Sequence, residues 1–255
     1  MSRVDIMSAI ILGSKPRFEL ELELNNPAPD PDLENLEPSN LIGTRYQTKL
    51  SNLTGLRDLS QETIKVYCIL RHLITEKERT ASLQNMKITN TEFELLQLYS
   101  FRLMYRLIAL VQYEIHDSLN QNTLIYGLFG NAGLAHIVMF TCNAPLRIGN
   151  PKSISTRIRT SLEMINIQAF QIAYPEMILW IVIIGGLASI GKTEDTKWYI
   201  KLLVKLCRAA GIATTAELAY SLAEFLWSEF YLLCPLFNEF WDDLGNEITE
   251  GVCVR

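Results

Sequence analysis

The sequence predicts an all-α protein: a single helical domain of seven or eight packed helices preceded by an acidic tail. Three observations carry that expectation. Apolar residues recur at helical spacing from Ser60 almost to the C-terminus. Start and stop residues flank these runs at the offsets helices require. Hydrophobic residues make up 49% of the 255, enough to bury one large core. The helical domain is expected over residues 46–255, with residues 1–45 as a disordered acidic tail or linker.

The elements follow in order. Phe18, Leu20, Leu22 and Leu24 alternate with glutamates at period two, which suits a half-buried strand or an acidic activation tail. No second strand pattern exists to pair with it, so a solvated tail is the preferred expectation. Residues 25–40 are dense in Pro, Asp and Asn and cannot bury apolar surface. Thr91 and Glu94 form a capping box ahead of the stripe Phe93, Leu96, Leu103, Leu107 and Leu110. Residues 123–142 are uncharged and hold Gly127, Gly130 and Gly133 along with Asn131 and His136; a buried central helix is expected there.

Asn150 and Pro151 supply a cap and a first-turn proline for Ile154, Ile158, Leu162, Ile165 and Ala169. Pro175 opens a strongly apolar helix that Gly185 and Gly186 are expected to end. Thr193, with Glu194 and Asp195, opens the next, placing Trp198, Leu202 and Leu206 inward and Lys197, Lys201, Lys205 and Arg208 outward. Gly211 stops it. A second capping box, Thr214 to Glu217, leads Leu218, Leu222, Phe225, Leu226 and Tyr231 up to Pro235. Leu236, Phe237, Phe240, Trp241 and Leu244 form a last amphipathic helix.

Charge narrows the function. The formal net charge is −5, and all of it lies in residues 1–40, where eight acids face three bases; the remainder is balanced. Such a chain does not grip nucleic acid through phosphate contacts. Cys68, Cys142, Cys207, Cys234 and Cys253 are odd in number and scattered, which suits reduced thiols, with Cys142 and Cys207 as small core residues. No secretion signal is expected, because the apolar run Ile6 to Leu12 is short, contains Ser8 and is not followed by a small-residue cleavage pattern. The apolar run 177–190 is too short to span a membrane, so a soluble protein is expected.

Several motifs invite chemistry. Residues 186–193, GLASIGKT, match the phosphate-cradling G-x-x-x-x-G-K-T pattern after the β-branched run Ile181 to Ile184. A phosphate loop needs a parallel sheet and a later aspartate strand, yet everything after Thr193 reads as helix; a turn between helices is expected instead. Asp242 and Asp243 resemble the start of an acidic metal motif, but its third acidic position is Asn246, so a solvated helix face is expected. His72, His116 and His136 lack carboxylate or cysteine partners at i+3 or i+4 and are read as core or surface residues. The stripe Lys197, Lys201, Lys205 and Arg208 is read as a solvated helix face, with contact to phosphate or an acidic partner as the alternative.

Residues 174–244 carry an ordered set of features: a Pro175–Glu176-led apolar helix with Trp180, the pair Gly185–Gly186, a helix led by Trp198, then Gly211. Phe225, Leu226, Trp227 and Ser228 follow, and later Trp241 with Asp242. This set resembles the C-terminal stretch of the helical regulatory domain of fungal zinc-cluster transcription factors. The resemblance implies a helical, non-enzymatic domain without a cofactor, working in the nucleus (or the cytoplasm) through contacts with other transcription-regulatory proteins. It carries over no catalytic, metal or DNA-binding residue, because residues 1–67 contain no cysteine with which to build the family's zinc cluster. The alternatives are a small-molecule-sensing domain with a pocket among Trp180, Trp198 and Trp227, and an enzyme or nucleotide binder using Gly186 to Thr193. Packing of those three tryptophans into one buried cluster, with Leu202, Leu222 and Phe225 as neighbours, is the expected arrangement.

Overall fold

The computed structural model describes residues 61–82, 100, 103–104, 106–108, 111, 121–141, 151–223 and 225–250. All regular structure among them is helical, as the spacing of apolar residues requires. In chain order the helices are α1 (Gln61–Ser82), α2 (Gln121–His136), α3 (Pro151–Met164), α4 (Ile167–Ala173), α5 (Pro175–Ser189), α6 (Thr193–Ala210), α7 (Thr215–Ala223), α8 (Phe230–Leu233) and α9 (Asn238–Glu250). A π-helical turn, Ile137–Thr141, extends α2, and a 3₁₀ turn, Pro235–Phe237, joins α8 to α9. The acidic tail, the Thr91–Glu94 capping box, Phe93, Leu96, Leu110, His116, Cys142, Asn150 and Cys253 lie outside the described residues. No helix among the described residues is long and apolar enough to cross a membrane.

Helix α5 is the hub. Every residue from Met177 to Ser189 is buried, because α2, α3, α4, α6 and α7 all pack around it. A helix with no polar face has to lie inside the molecule, and its neighbours supply the amphipathic surfaces. In α1, Val66, Ile69, Leu70, Leu73 and Ile74 are buried, a single stripe at i, i+3, i+4, i+7 and i+8. Helix α2 is buried from Leu124 onward save half-exposed Tyr126, so the central helix expected over 123–142 is present.

The Gly185–Gly186 pair does not end α5; the helix runs on through both to Ser189. The pair is a notch. A Cβ on Gly185 would stand 2.5 Å from Cε1 of Tyr199, and one on Gly186 would stand 2.6 Å from Cε2 of Phe240. The ~1 kcal/mol per residue that glycine costs inside a helix is offset by this close approach of α6 and α9. The stop comes later, at Gly191, whose φ of 86° belongs to the left-handed region.

The same notch turns α6. Tyr199, Ile200, Leu203, Val204, Leu206 and Cys207 are buried, while Trp198 and Leu202 are only half-buried. The buried face is therefore rotated from the expected Trp198–Leu202–Leu206 row, because Tyr199 is the side chain that enters the gap in α5. Gly211 ends α6 as expected, with φ 72° and two closing bonds: its N–H donates to the Arg208 carbonyl, and that of Ile212 to the Cys207 carbonyl. This is a Schellman ending, completed by the buried side chain of Ile212.

Three further expectations change. The helix opened by Pro151 ends at Met164 rather than reaching Ala169, because Asn166 caps a new helix by accepting from the Ala169 N–H; Ala169 is exposed. The run from Thr214 to Pro235 is not continuous: α7 stops at Ala223 and the chain bends at Phe225 and Leu226 before α8. Leu236 is exposed on the 3₁₀ turn, whereas Phe237, Phe240, Trp241, Leu244 and Ile248 are buried. The Thr214 capping box does form. The Thr214 hydroxyl accepts from the Glu217 N–H at 3.1 Å, and the Glu217 carboxylate accepts from the Ala213 N–H at 2.7 Å, one residue earlier than usual.

Candidate functional site

A buried polar chain runs through the aromatic core where α2, α5 and α8 meet. The Trp180 indole N–H donates to the Tyr231 hydroxyl at 3.2 Å, and that hydroxyl lies 2.9 Å from Nδ1 of His136. Which of the Tyr231 hydroxyl and Nδ1 donates is set by the histidine tautomer, and either arrangement suits a neutral imidazole. Burial agrees, because it holds the His136 pKa down to about 3, with Lys77 adding to the effect. The Tyr231 phenol is pushed well above its ordinary value by burial, so it too stays neutral.

Rings seal this chain. Phe140 lies 4.8 Å from Tyr231 and 5.3 Å from His136 between centroids, Trp227 packs edge-on to Tyr231, and Phe129 and Phe225 flank Trp180. His136 is only 2% exposed and Tyr231 not at all, so the pair is not presented to a substrate. Its work is to satisfy three polar groups inside an apolar core, where an unpaired one would cost ~1–3 kcal/mol.

A second polar stitch closes the Gly185–Gly186 notch. The Ser155 hydroxyl donates to the Gly185 carbonyl at 2.9 Å, and the Tyr199 hydroxyl donates to the Ser155 carbonyl at 2.7 Å. One serine on α3 thus ties α5 to α6. Neither stitch was legible in the sequence, although His136, Ser155 and Tyr231 share a signal: polar groups at core spacing within apolar segments must find partners.

The tryptophans divide. Trp180 is fully buried beside Phe225, and Trp198 and Trp227 are partly buried against the same core, which also holds Leu222 and is flanked by Leu202. Trp198 packs edge-on to Tyr199 and carries the Arg159 guanidinium over its ring at 5.0 Å. That arginine is held by Glu163 and Asp195. Trp227 lies against Tyr231 and Trp241, and its buried indole N–H finds no acceptor among the described residues. The three rings belong to one continuous core.

The phosphate-loop match dissolves into helix and turn. Residues 181–189 belong to α5, the Lys192 N–H closes a turn on the Ser189 carbonyl, and Thr193 begins α6. The exposed Lys192 ammonium donates to the Thr156 hydroxyl at 2.9 Å and sits 3.6 Å from Asp195, bracing α3 against α6. Asp242 and Asp243 are exposed on α9, and no cluster of metal-ligating residues occurs among the described residues. His72 is half-buried on α1, and Cys207 is a core residue whose thiol is pushed up to about 12 by burial.

The surface is more distinctive. Lys197, Lys201, Lys205 and Arg208 are all exposed along the outer face of α6. Lys201, Val204, Lys205 and Arg208 line an open groove of about 240 Å³ with Glu247 of α9 on its rim. The Arg208 guanidinium donates to the Glu247 carbonyl at 3.2 Å. Beside the aromatic core, Leu232, Leu233 and Leu236 project outward with 40%, 70% and 50% of their surface exposed. No family model, curated protein or solved structure matches the chain.

Proposed function

We propose that the chain is a non-enzymatic regulatory domain that acts in the nucleus through contacts with other transcription-regulatory proteins, in the manner of the helical domains of fungal zinc-cluster factors. The observation that carries this reading is the leucine ridge. Leu232, Leu233 and Leu236 expose large apolar side chains within five residues, directly outside a core whose own aromatic groups are tightly engaged. Apolar side chains grouped on a surface favour burial against a partner, at roughly 25 cal/mol per Å² removed from water. The residues that carry the family resemblance support it from inside. Trp180, Gly185, Gly186 and Trp241 are core or notch residues, so they specify the scaffold and leave recognition to the surface.

The test is a transcription reporter. The full chain, fused to an unrelated DNA-binding module, is expected to change reporter output several-fold. The effect is expected to disappear in the double variant L233E/L236E at equal abundance and equal helicity. A reporter that responds no differently to the fusion than to the DNA-binding module alone would sink the proposal.

A further inference from the structure

We propose that the outer face of α6, with the groove between α6 and α9, docks an extended acidic segment of a partner protein in which every second residue is a carboxylate. Lys197, Lys201 and Lys205 stand four apart on that face, Arg208 continues the row, and all four are exposed. Among the described residues no carboxylate pairs with Lys197, Lys201 or Lys205, whereas Arg159 and Lys192 on the neighbouring surface are both held by Asp195. Like charges four apart destabilise a helix, and the helix dipole compensates only cations in the last turn, where Arg208 alone lies. The row is therefore unfavourable for α6 by itself, and a bound anion relieves it.

The shape of the site selects the kind of anion. Lys201, Lys205 and Arg208 line the groove, with Val204 on its floor and Glu247 of α9 at the Arg208 end. At about 240 Å³ and open to solvent, it is smaller than the roughly 300–1,000 Å³ that encloses a small-molecule ligand. From Lys197 to Arg208 the row runs about 16 Å along the helix, so it forms a track rather than a cup. A nucleic-acid backbone needs cations spread over a wider surface than one helix row, and Glu247 repels phosphate at one end. A short carboxylate segment needs only the row.

Spacing fixes the form of the segment. In an extended peptide, alternate side chains point to one side at intervals of about 6.7 Å. On a helix, residues four apart recur at about 6 Å. Three carboxylates at alternate positions therefore face Lys197, Lys201 and Lys205 nearly one for one, and the intervening side chains point away from α6. Each exposed ion pair is weak by itself, so the affinity comes from the row acting together. The docking face lies on α6 and α9, apart from the leucine ridge of α8 and the turn after it, and works whether or not that ridge holds a partner.

Titration of the nitrogen-15-labelled full chain with an octapeptide alternating glutamate with serine tests this. Amide shifts are expected to move along α6 and the facing side of α9, saturating below millimolar peptide at 50 mM salt. The affinity should fall several-fold by 300 mM salt, since screening shortens the range of these charges. K197E/K201E/K205E should lose the binding, and K192Q, on the exposed surface beside the row, should keep it. The reversed variant should instead show shifts at the same α6 amides with an octapeptide alternating lysine with serine, which leaves those amides of the natural chain unmoved. That gain shows both that the variant is folded and that charge complementarity chooses the occupant. No saturable shift with the glutamate peptide, an equal loss in K192Q, or no response of the reversed variant to the lysine peptide would each overturn the proposal. So would tighter binding of inorganic pyrophosphate or a single-stranded oligonucleotide to the same residues, which would make the face a phosphate site. The outcome does not depend on the reporter experiment above.

Discussion

At the scale of single residues, the buried chain Trp180–Tyr231–His136 sets the sharpest expectations. Folding lowers the His136 pKa from 6.5 to about 3, so between those values the unfolded chain binds a proton that the folded chain refuses. This contribution is complete above pH 6.5 and is lost as pH falls from 6.5 toward 3. His136 alone then accounts for up to ~1.4 kcal/mol of lost stability per pH unit. Urea unfolding followed from pH 7 to pH 4 is expected to give a shallower slope for His136→Gln than for the natural chain; equal slopes would show that His136 is not buried neutral. The two indoles give a contrast. Trp180→Phe removes the N–H that Tyr231 accepts and should cost ~1–3 kcal/mol, partly through the gap left by the smaller ring. Trp227→Phe discards an N–H that has no acceptor among the described residues, so measured by the same unfolding midpoint it should cost less than Trp180→Phe.

At the scale of elements, glycine means different things in different helices. The adjacent glycines of α5 looked like a helix end, the commonest use of such a pair, because the sequence does not reveal which ring will lie across a residue. Tyr199 and Phe240 decide the matter from outside the helix. Gly186→Ala should gain up to ~1 kcal/mol in helix propensity and lose ~1–3 kcal/mol to overpacking against Phe240, a net destabilisation. Gly245→Ala in α9 meets nothing within 4 Å and should raise stability by about 0.5–1 kcal/mol. Thermal unfolding of the two variants reads both signs, and a stabilising Gly186→Ala would refute the notch. The rotated face of α6, about a third of a turn from the expected row, has the same origin. Its apolar residues cover more than one face, and the sequence could not choose between Trp198 and Tyr199 until the notch in α5 selected the tyrosine.

At the scale of the whole molecule, the charge balance carries a prediction. With a net charge of −5 and the basic residues of α6 confined to one short face, the purified chain is expected to show no sequence-dependent shift of duplex DNA at physiological salt. A specific shift at submicromolar protein would contradict it. By itself the sequence determined that the chain is all-α, where most helices begin, that Gly211 and Thr214 end and cap their helices, and that residues 124–140, save half-buried Tyr126 and Met139, and residues 177–189 lie inside. Periodicity and capping act over a few neighbouring residues, so they are written locally. Only the tertiary structure decided that Gly185 and Gly186 are a packing notch, that Trp198 flanks the core while Tyr199 enters it, and that His136 meets Tyr231 from 95 positions away. Those outcomes depend on which surfaces meet across the core, and close packing admits only the pairs whose shapes and polar groups fit together.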